Sequence, residues 1–461
     1  MPPALAALAL PVLKAMVRVK GSNVKIIFCL LMCFSAAAAA TDLPEPLNDR
    51  DFAPVRPAEA ALGRLLFYDP ILSGNKEVAC ATCHHPAFGT SDGVSLAIGD
   101  GGIGLGPKRV ADVNNPPEAR IPRNAQSLFN LGFIGYRALF YDGRIEAAPD
   151  RPGGFRTPLD DEMVKGFASL VSAQAMFPVL SGDEMAGHYS ESDVSQAVRL
   201  GQLTNKGGAW DLIARRVAEI PRYAEMFAAV YPAVTSPDDI AFTDISNAIA
   251  AFMEQEWRSD SAPFDQALRG EIQFEPMAQA GADLFYGAAG CAACHSGPLL
   301  SDFRFHAMAV PQFGPGKAAR FETHARDEGR FRVTGIPADY YAFRTPSLRN
   351  VALTGPWGHD GAYSDLVVFV TAHADPAKAL ADFDRGQVIL PVMGVDDWQV
   401  MNDPDEVAAI AAAVTTPVVN LSQNETAQIV AFLNSLTDPA IIKGRSGVPA
   451  TVPSDLQVPR P

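Results

Sequence analysis

Apolar residues recur mainly at helical spacing. Within 244–257, Ile245, Ile249, Phe252 and Met253 fall on one face of a 3.6-residue repeat. The same reading predicts helices over 59–67, 159–174, 191–199, Ala209–Ala218 and 277–285. Ser422 and Glu425 form a capping box ahead of Ile429, Val430 and Phe432, which marks one further helix start. No stretch alternates apolar and polar residues over the length of a strand, so the chain reads as all-α. Between the helices lie long irregular segments. Residues 41–58 are Pro-rich and polar, 99–106 are Gly-rich, and 302–343 show no period. From 443 onward a Pro-rich stretch reads as a flexible tail.

One apolar run is of a different kind. Lys14, Arg18, Lys20 and Lys25 precede the continuous run Ile26 to Phe34, followed by Ser35 and Ala36 to Ala40. This is the order of a secretory signal peptide, with cleavage near Ala40. Met16 is a plausible alternative start. The run is shorter than the roughly 20 residues of a membrane span, and no later segment reads as one. Export to the periplasm follows.

The chain has 461 residues, 48% of them hydrophobic, enough for two or three ordinary domains. The net charge of −15 excludes a nucleic-acid binder, which needs clustered Lys and Arg for phosphate.

The cysteines narrow the chemistry. Of six, Cys29 and Cys33 lie in the leader. The others form Cys80-Ala-Thr-Cys83-His84 and Cys291-Ala-Ala-Cys294-His295. Two thiols at this spacing can bond the haem vinyls while the next His reaches the iron. A dithiol redox site would sit in a βαβ pattern that is absent. A zinc site would need its ligands together, and these pairs are far apart in sequence. Two covalent haem c groups are therefore expected, with His84 and His295 as proximal ligands. "LGRLLFYDPILSGNKEVACATCHHP" and "AGADLFYGAAGCAACHSGP" resemble each other, each placing a helix with a Leu-Phe-Tyr-like run before its motif. The expected plan is a signal peptide (1–40), a linker (41–58), two tandem cytochrome c-like haem domains (59–262 and 263–442) and the tail (443–461).

Further segments carry a family resemblance: Leu62 to Phe67 with Asp69-Pro70, Pro122 to Ala125, Tyr141 to Arg144, Gln174 to Met185, Arg344 to Val351, and His359 to Gly361. With the two haem motifs they resemble the bacterial di-haem cytochrome c peroxidase superfamily, which includes the MauG-like oxidases. The resemblance implies a peroxidatic first haem and an electron-transfer second haem. It places Gln174, Pro178 and Glu184 in the peroxidatic pocket, where a carboxyl can move a proton between the peroxide oxygens. The competing reading of Glu184 is a surface capping acid. The family's interdomain calcium would be held by the Asn124 side chain and the carbonyls of Thr354 and Pro356, an all-oxygen set suited to calcium.

Three positions depart from the family's usual pattern. Asp100 stands where reductively activated members carry a His that blocks the first iron, so this iron is expected to be open. Tyr141 stands where a Trp often lies between the haems. His373 stands where Met or Tyr ligates the second iron. A bis-His second haem would have a lower potential than one with Met; Met393 and Met401 are the competing ligands. His359 is expected to be a hydrogen-bonding structural residue, Trp357 to pack, and His306 and His324 to lie at the surface. The activity implied is reduction of hydrogen peroxide with electrons from a small cytochrome c or cupredoxin. The alternatives are MauG-like oxidation of Trp or Tyr in a partner protein, or electron transfer alone. The family often forms homodimers.

Overall fold

A computed structural model describes residues 43–461 except Val164 and Arg320. The proposed signal peptide, its cleavage point and the alternative start all lie outside the described residues.

Two helix pairs organise the fold. The helix Pro57–Tyr68 packs along Phe242–Glu256, and the helix Pro276–Tyr286 packs along Gln423–Ser435. Each crossing depends on a glycine. A Cβ on Gly63 would lie 1.7 Å from the Ala248 carbonyl oxygen, and one on Gly281 would lie 1.9 Å from that of Gln428. Only a residue without a side chain lets the backbones approach this closely. Both glycines belong to the segments that look alike in sequence.

Aromatic rings seal each pair in a related way. Phe67 meets Phe252 at 5.3 Å and Trp257 at 5.4 Å between centroids. Phe432 meets Phe285 at 5.0 Å and Phe264 at 5.7 Å. The first core runs from Leu47 to Trp257 and the second from Phe264 to Leu436, with few exceptions. Burying such aromatic side chains contributes roughly 1.5–3 kcal/mol each.

Five expected helices are present: 59–67, 191–199, Ala209–Ala218, 244–257 and 277–285 all lie on or largely on observed helices. The capping box holds too, with Glu425 accepting from the Ser422 amide at 2.8 Å. The region 159–174 differs. A short 3-10 turn at Asp160–Met163 and a helix at Leu170–Ala175 replace one long helix. Gly166 sits at a φ of +88°, and Ser169 caps the second piece by accepting from the Ser172 amide. Ser and Gly punctuation here outweighs the apolar period.

Small antiparallel sheets add to the helices. They are Gly102–Ile103 with Val110–Ala111, Ala138–Leu139 with Ile145–Ala147 and Phe155–Arg156, and Phe305–His306 with Phe343–Arg344. Their strands are two or three residues long, too short for a period-2 pattern to appear. The fold is therefore predominantly helical rather than strictly all-α.

The tail is a correction. Val452 and Val458 are buried in the first core, and Ser454 Oγ donates to Asp69 at 2.6 Å. Its scattered apolar residues find partners only because 443–461 folds back over the first half. Among the described residues, no helix is long and apolar enough to cross a membrane.

Candidate functional site

Each CxxCH motif forms a single tight turn after its helix. The first is Cys80–Cys83, with the His84 amide donating to the Cys80 carbonyl at 3.0 Å. The second is Cys291–Ala293, with the His295 amide donating to Cys291 at 2.9 Å. All four thiols are free. Burial pushes Cys80 and Cys83 up to about 12, so both are neutral thiols.

The histidines are oriented for iron. His84 Nδ1 pairs with the Thr90 carbonyl at 3.1 Å and His295 Nδ1 with the Leu300 carbonyl at 3.0 Å. A backbone acceptor at Nδ1 fixes the tautomer and leaves Nε2 as the ligand atom. Burial lowers the affinity of both rings for a proton, His295 to about 4. Neutral imidazole is the form a metal takes. Free thiols, oriented imidazoles and the turn geometry fit covalent haem at both motifs.

His373 lies near the C-terminal end of the helix Leu366–Ala374, with Nδ1 paired to the Phe369 carbonyl at 3.0 Å. Its ring lines a small hollow with Met308, Val310, Tyr363 and Phe369. His373 and His295 are close enough for one ring's charge to weigh on the other. Met401 instead packs into a separate cluster with Leu380, Val400 and Ile410. Met308 shares the His373 hollow and carried no motif that could have marked it.

Glu184 sits on a π-helical turn, Gly182–Ala186. The Ser181 carbonyl accepts from the amides of Glu184, Met185 and Ala186 at 3.2, 3.0 and 2.9 Å. Such turns are uncommon and gather at functional sites. This one is clamped between two glycine contacts. The Gly74 amide donates to the Met185 carbonyl at 2.7 Å, and a Cβ on Gly99 would lie 2.2 Å from the Asp183 carbonyl oxygen. Burial raises the Glu184 carboxyl, while Lys317 and Arg144 pull it back. The bond from Gly74 ties this turn to the segment that leads into the first motif. Gln174 is half-buried on the helix Leu170–Ala175, and Pro178 opens the next short turn.

Asp100 is 1% exposed. Asn75 Nδ2 donates to both its carboxylate oxygens at 3.3 Å and to Glu191 at 2.9 Å. Burial, with Glu191 adding, pushes the Asp100 carboxyl up to about 6. The Gly-rich loop around it is tied by Arg109, which donates to the carbonyls of Ile98, Gly99 and Gly104 at 2.6, 2.5 and 2.7 Å. His188 accepts from the Glu118 amide at 3.3 Å on the same wall.

Tyr141 joins segments of the two halves through its backbone. Its carbonyl accepts from the Arg344 amide at 2.8 Å. Burial raises the phenol, so it stays protonated. Around it runs a buried ion network. Arg123 holds Asp142 at 2.7 Å and grips Asp327 with two bonds of 2.6 and 2.8 Å, while Arg144 adds to Asp142 at 3.0 Å. Arg123 and Arg144 lie inside recognisable motifs, but Asp327 and Lys317 come from the irregular stretch and had no sequence signal.

Asn124 is buried beside His359, to whose carbonyl its amide donates at 2.9 Å. Its Nδ2 donates to the Val94 carbonyl at 2.8 Å, which turns Oδ1 away. Thr354 and Pro356 belong to the same loop as His359. The carboxyl of neighbouring Asp360 is fully buried, and burial pushes it well above its ordinary value. His359 stacks on Phe343 at 3.8 Å and 13°, with Nδ1 unpartnered, so it packs where hydrogen bonding was expected. Trp357 also packs, parallel to Phe369 at 6.3 Å. His306 pairs with Asp302 at 2.9 Å behind the second motif.

The family model for di-haem cytochrome c peroxidases matches residues 57–273. Cytochrome-c peroxidase IdrP1 of Denitromonas iodatirespirans is 30% identical over 384 residues, covering 76% of this chain and 84% of that protein. The methylamine utilization protein MauG of Methylorubrum extorquens is 29% identical, covering 74% and 79%. Among solved structures, a MauG-like protein associated with microbial copper homeostasis superposes with a TM-score of 0.55 at 25% identity, covering 88% of this chain and 96% of that one.

Proposed function

This chain belongs to the di-haem cytochrome c peroxidase family, and from that premise we propose how its own residues consume hydrogen peroxide. The carrying observation is Glu184: a half-buried carboxyl on a clamped π turn, tied through Gly74 to the segment that leads into the first haem motif, with Asp100 rather than His on the facing loop. Haem iron supplies the Lewis acid and the electrons for cleaving the peroxide bond. Glu184 takes the proton from the inner peroxide oxygen and returns it to the outer one. Gln174 orients the bound peroxide by hydrogen bond. His84 and His295 are the proximal ligands, and the thiols of Cys80, Cys83, Cys291 and Cys294 form the thioethers. His373 would supply a second ligand to the iron held by His295.

Tyr141 relays charge between the two halves, with its buried phenol kept protonated at rest. Each helix pair with its motif serves as one haem unit, divided near residue 262. A calcium ion bound by Asn124 Oδ1 and the carbonyls of Thr354 and Pro356 would pin the loop between them. The enzyme works in the periplasm, with a small cytochrome c or cupredoxin as donor. Asp100 and His373 favour a second reading, peroxide-driven oxidation of Trp or Tyr in a partner protein in the manner of MauG.

Absorption and EPR spectra of the diferric protein, before and after one equivalent of peroxide, test the proposal. One high-spin and one bis-His low-spin haem with immediate reaction is the expected result. Two low-spin haems, inert until half-reduced, would overturn the open first site. With peroxide, turnover of a reduced cytochrome c supports the peroxidase, and new cross-links or oxidised Trp in a co-expressed partner support the oxidase.

A further inference from the structure

Arg109 is a buried cation with no part in the proton transfer. It is 6% exposed and makes no ion pair among the described residues. A guanidinium taken out of water is costly unless its donors are satisfied. Main-chain carbonyls satisfy them here. Nε donates to Ile98 at 2.6 Å, Nη2 to Gly99 at 2.5 Å and Nη1 to Gly104 at 2.7 Å. The planar fork lets one side chain hold three carbonyls at once. Ile98 and Gly99 are adjacent, so two of the three bonds grip one short piece of backbone.

The Gly-rich hairpin is folded around this side chain. Gly102 pairs with Ala111 and Ile103 with Val110, which brings Arg109 back beside the start of the loop. A Cβ on Gly102 would lie 2.6 Å from Arg109 Nε, so the guanidinium fills the space a side chain there would take. A Cβ on Gly106 would lie 2.4 Å from Phe88 Cζ, which seats the hairpin tip on the short turn that follows His84 and His85. The gripped carbonyls adjoin the turn that carries Glu184. A Cβ on Gly99 would lie 2.2 Å from the Asp183 carbonyl oxygen, 2.4 Å from that of Glu184 and 2.7 Å from the Glu184 Cα. The loop backbone at Gly99 therefore touches the backbone of Glu184 itself. The turn's contact with Gly74 is secured by the 2.7 Å bond from the Gly74 amide to the Met185 carbonyl. The contact with Gly99 is steric, and Asn75 adds to that loop only two long bonds to Asp100, at 3.3 Å.

We propose that Arg109 is a positioning residue for the peroxide chemistry: by gripping the Ile98 and Gly99 carbonyls it keeps Gly99 against the π turn, and so fixes the backbone from which the Glu184 carboxyl meets peroxide. This rests on Glu184 being the peroxide-handling acid. Arg109 exchanges no proton and acts only through the loop. A carboxyl that moves a proton between two oxygens must reach both at hydrogen-bond distance. A small shift of the turn then costs rate without altering the acid.

The test is a double-mutant cycle on the holoenzyme, with both haems present in every variant. Stopped-flow absorption follows the reaction of the diferric protein with peroxide in the wild type, Arg109→Met, Glu184→Gln and the double variant, and melting is recorded alongside. Arg109→Met is expected to slow the reaction roughly tenfold to a hundredfold, as an ångström of misplacement does. The double variant is expected to be no slower than Glu184→Gln alone, because a residue acting only through Glu184 has nothing left to position. Losses that multiply in the double variant show a general structural role and overturn the proposal. Arg109→Met reacting at the wild-type rate overturns it as well. If Arg109→Met yields no holoenzyme, Arg109→Lys decides by the same cycle, since it keeps the charge and loses the fork. A slowing that disappears in the Glu184→Gln background supports the proposal, and a wild-type rate or a multiplied loss overturns it. Glu184→Gln reacting at the wild-type rate overturns the underlying role of Glu184 instead.

Discussion

Replacing Arg123 with Met tests the buried ion network that joins the two halves. Arg123 and its two acids are each less than a tenth exposed. Burial opposes ionisation of Asp327, but Arg123, with help from the Gly329 amide and His359, holds the carboxyl below its ordinary value. Asp142 is held low in the same way, by Arg123 and Arg144. Removing Arg123 leaves Asp142 one cation, Arg144 at 3.0 Å. Asp327 loses both bonds of 2.6 and 2.8 Å and keeps chiefly the Gly329 amide at 2.9 Å. Stranding one partner of a buried pair costs about 3–5 kcal/mol. The retained donors put the expected loss near the lower end, about 3 kcal/mol.

The sign of the pH dependence follows. In the wild type both carboxyls are depressed, so their contribution is complete above about pH 4 and is lost only as pH falls through their folded values. In Arg123→Met, burial of Asp327 outweighs the remaining Gly329 amide and its carboxyl rises above the unfolded value. The variant then binds a proton on the native side, and its deficit shrinks as pH falls. Urea titrations followed by circular dichroism at about pH 7.5 and about pH 5.5 measure this. A deficit below about 1 kcal/mol, the range of a surface pair, would refute the argument. So would a deficit equal at both pH values.

Gly63→Ala and Gly281→Ala are each expected to destabilise by about 3 kcal/mol, because the Cβ meets helix backbone that cannot turn aside; thermal melting and haem content check it, and a wild-type melt would refute the close crossing. His373→Met is expected to raise the potential of one haem and leave the other, read by potentiometric titration; no shift would move the ligand elsewhere. Chelation by EGTA is expected to lower the melting temperature, with calcium and not magnesium restoring it; an unmoved melt in protein shown free of metal would remove calcium from the Asn124 loop.

Much of the site is legible because its chemistry is local. A CxxCH turn needs only five adjacent residues, so both motifs and their proximal histidines can be read directly. Helices with a steady 3.6-residue stripe are legible for the same reason, since the period itself reports the buried face. The break at Gly166 and Ser169 shows the limit, where a single left-handed residue and a cap override the stripe. Glu184 could be named only through the family's Gln-Pro-Glu pattern. No period or spacing predicts a π turn clamped by Gly74 and Gly99.

What the sequence determined alone is the covalent chemistry: two haem-attachment turns, the acidic charge, the exported leader pattern and the Asp100 and His373 departures. Tertiary structure decided which distant groups share a field. Asp327 lies in a stretch with no periodicity, and the last residues read as a loose tail. Folding locks Asp327 to Arg123 and buries Val452 and Val458 in the first core. Coulomb interaction and desolvation depend on distance and burial in space, and neither quantity is written in the order of residues along the chain.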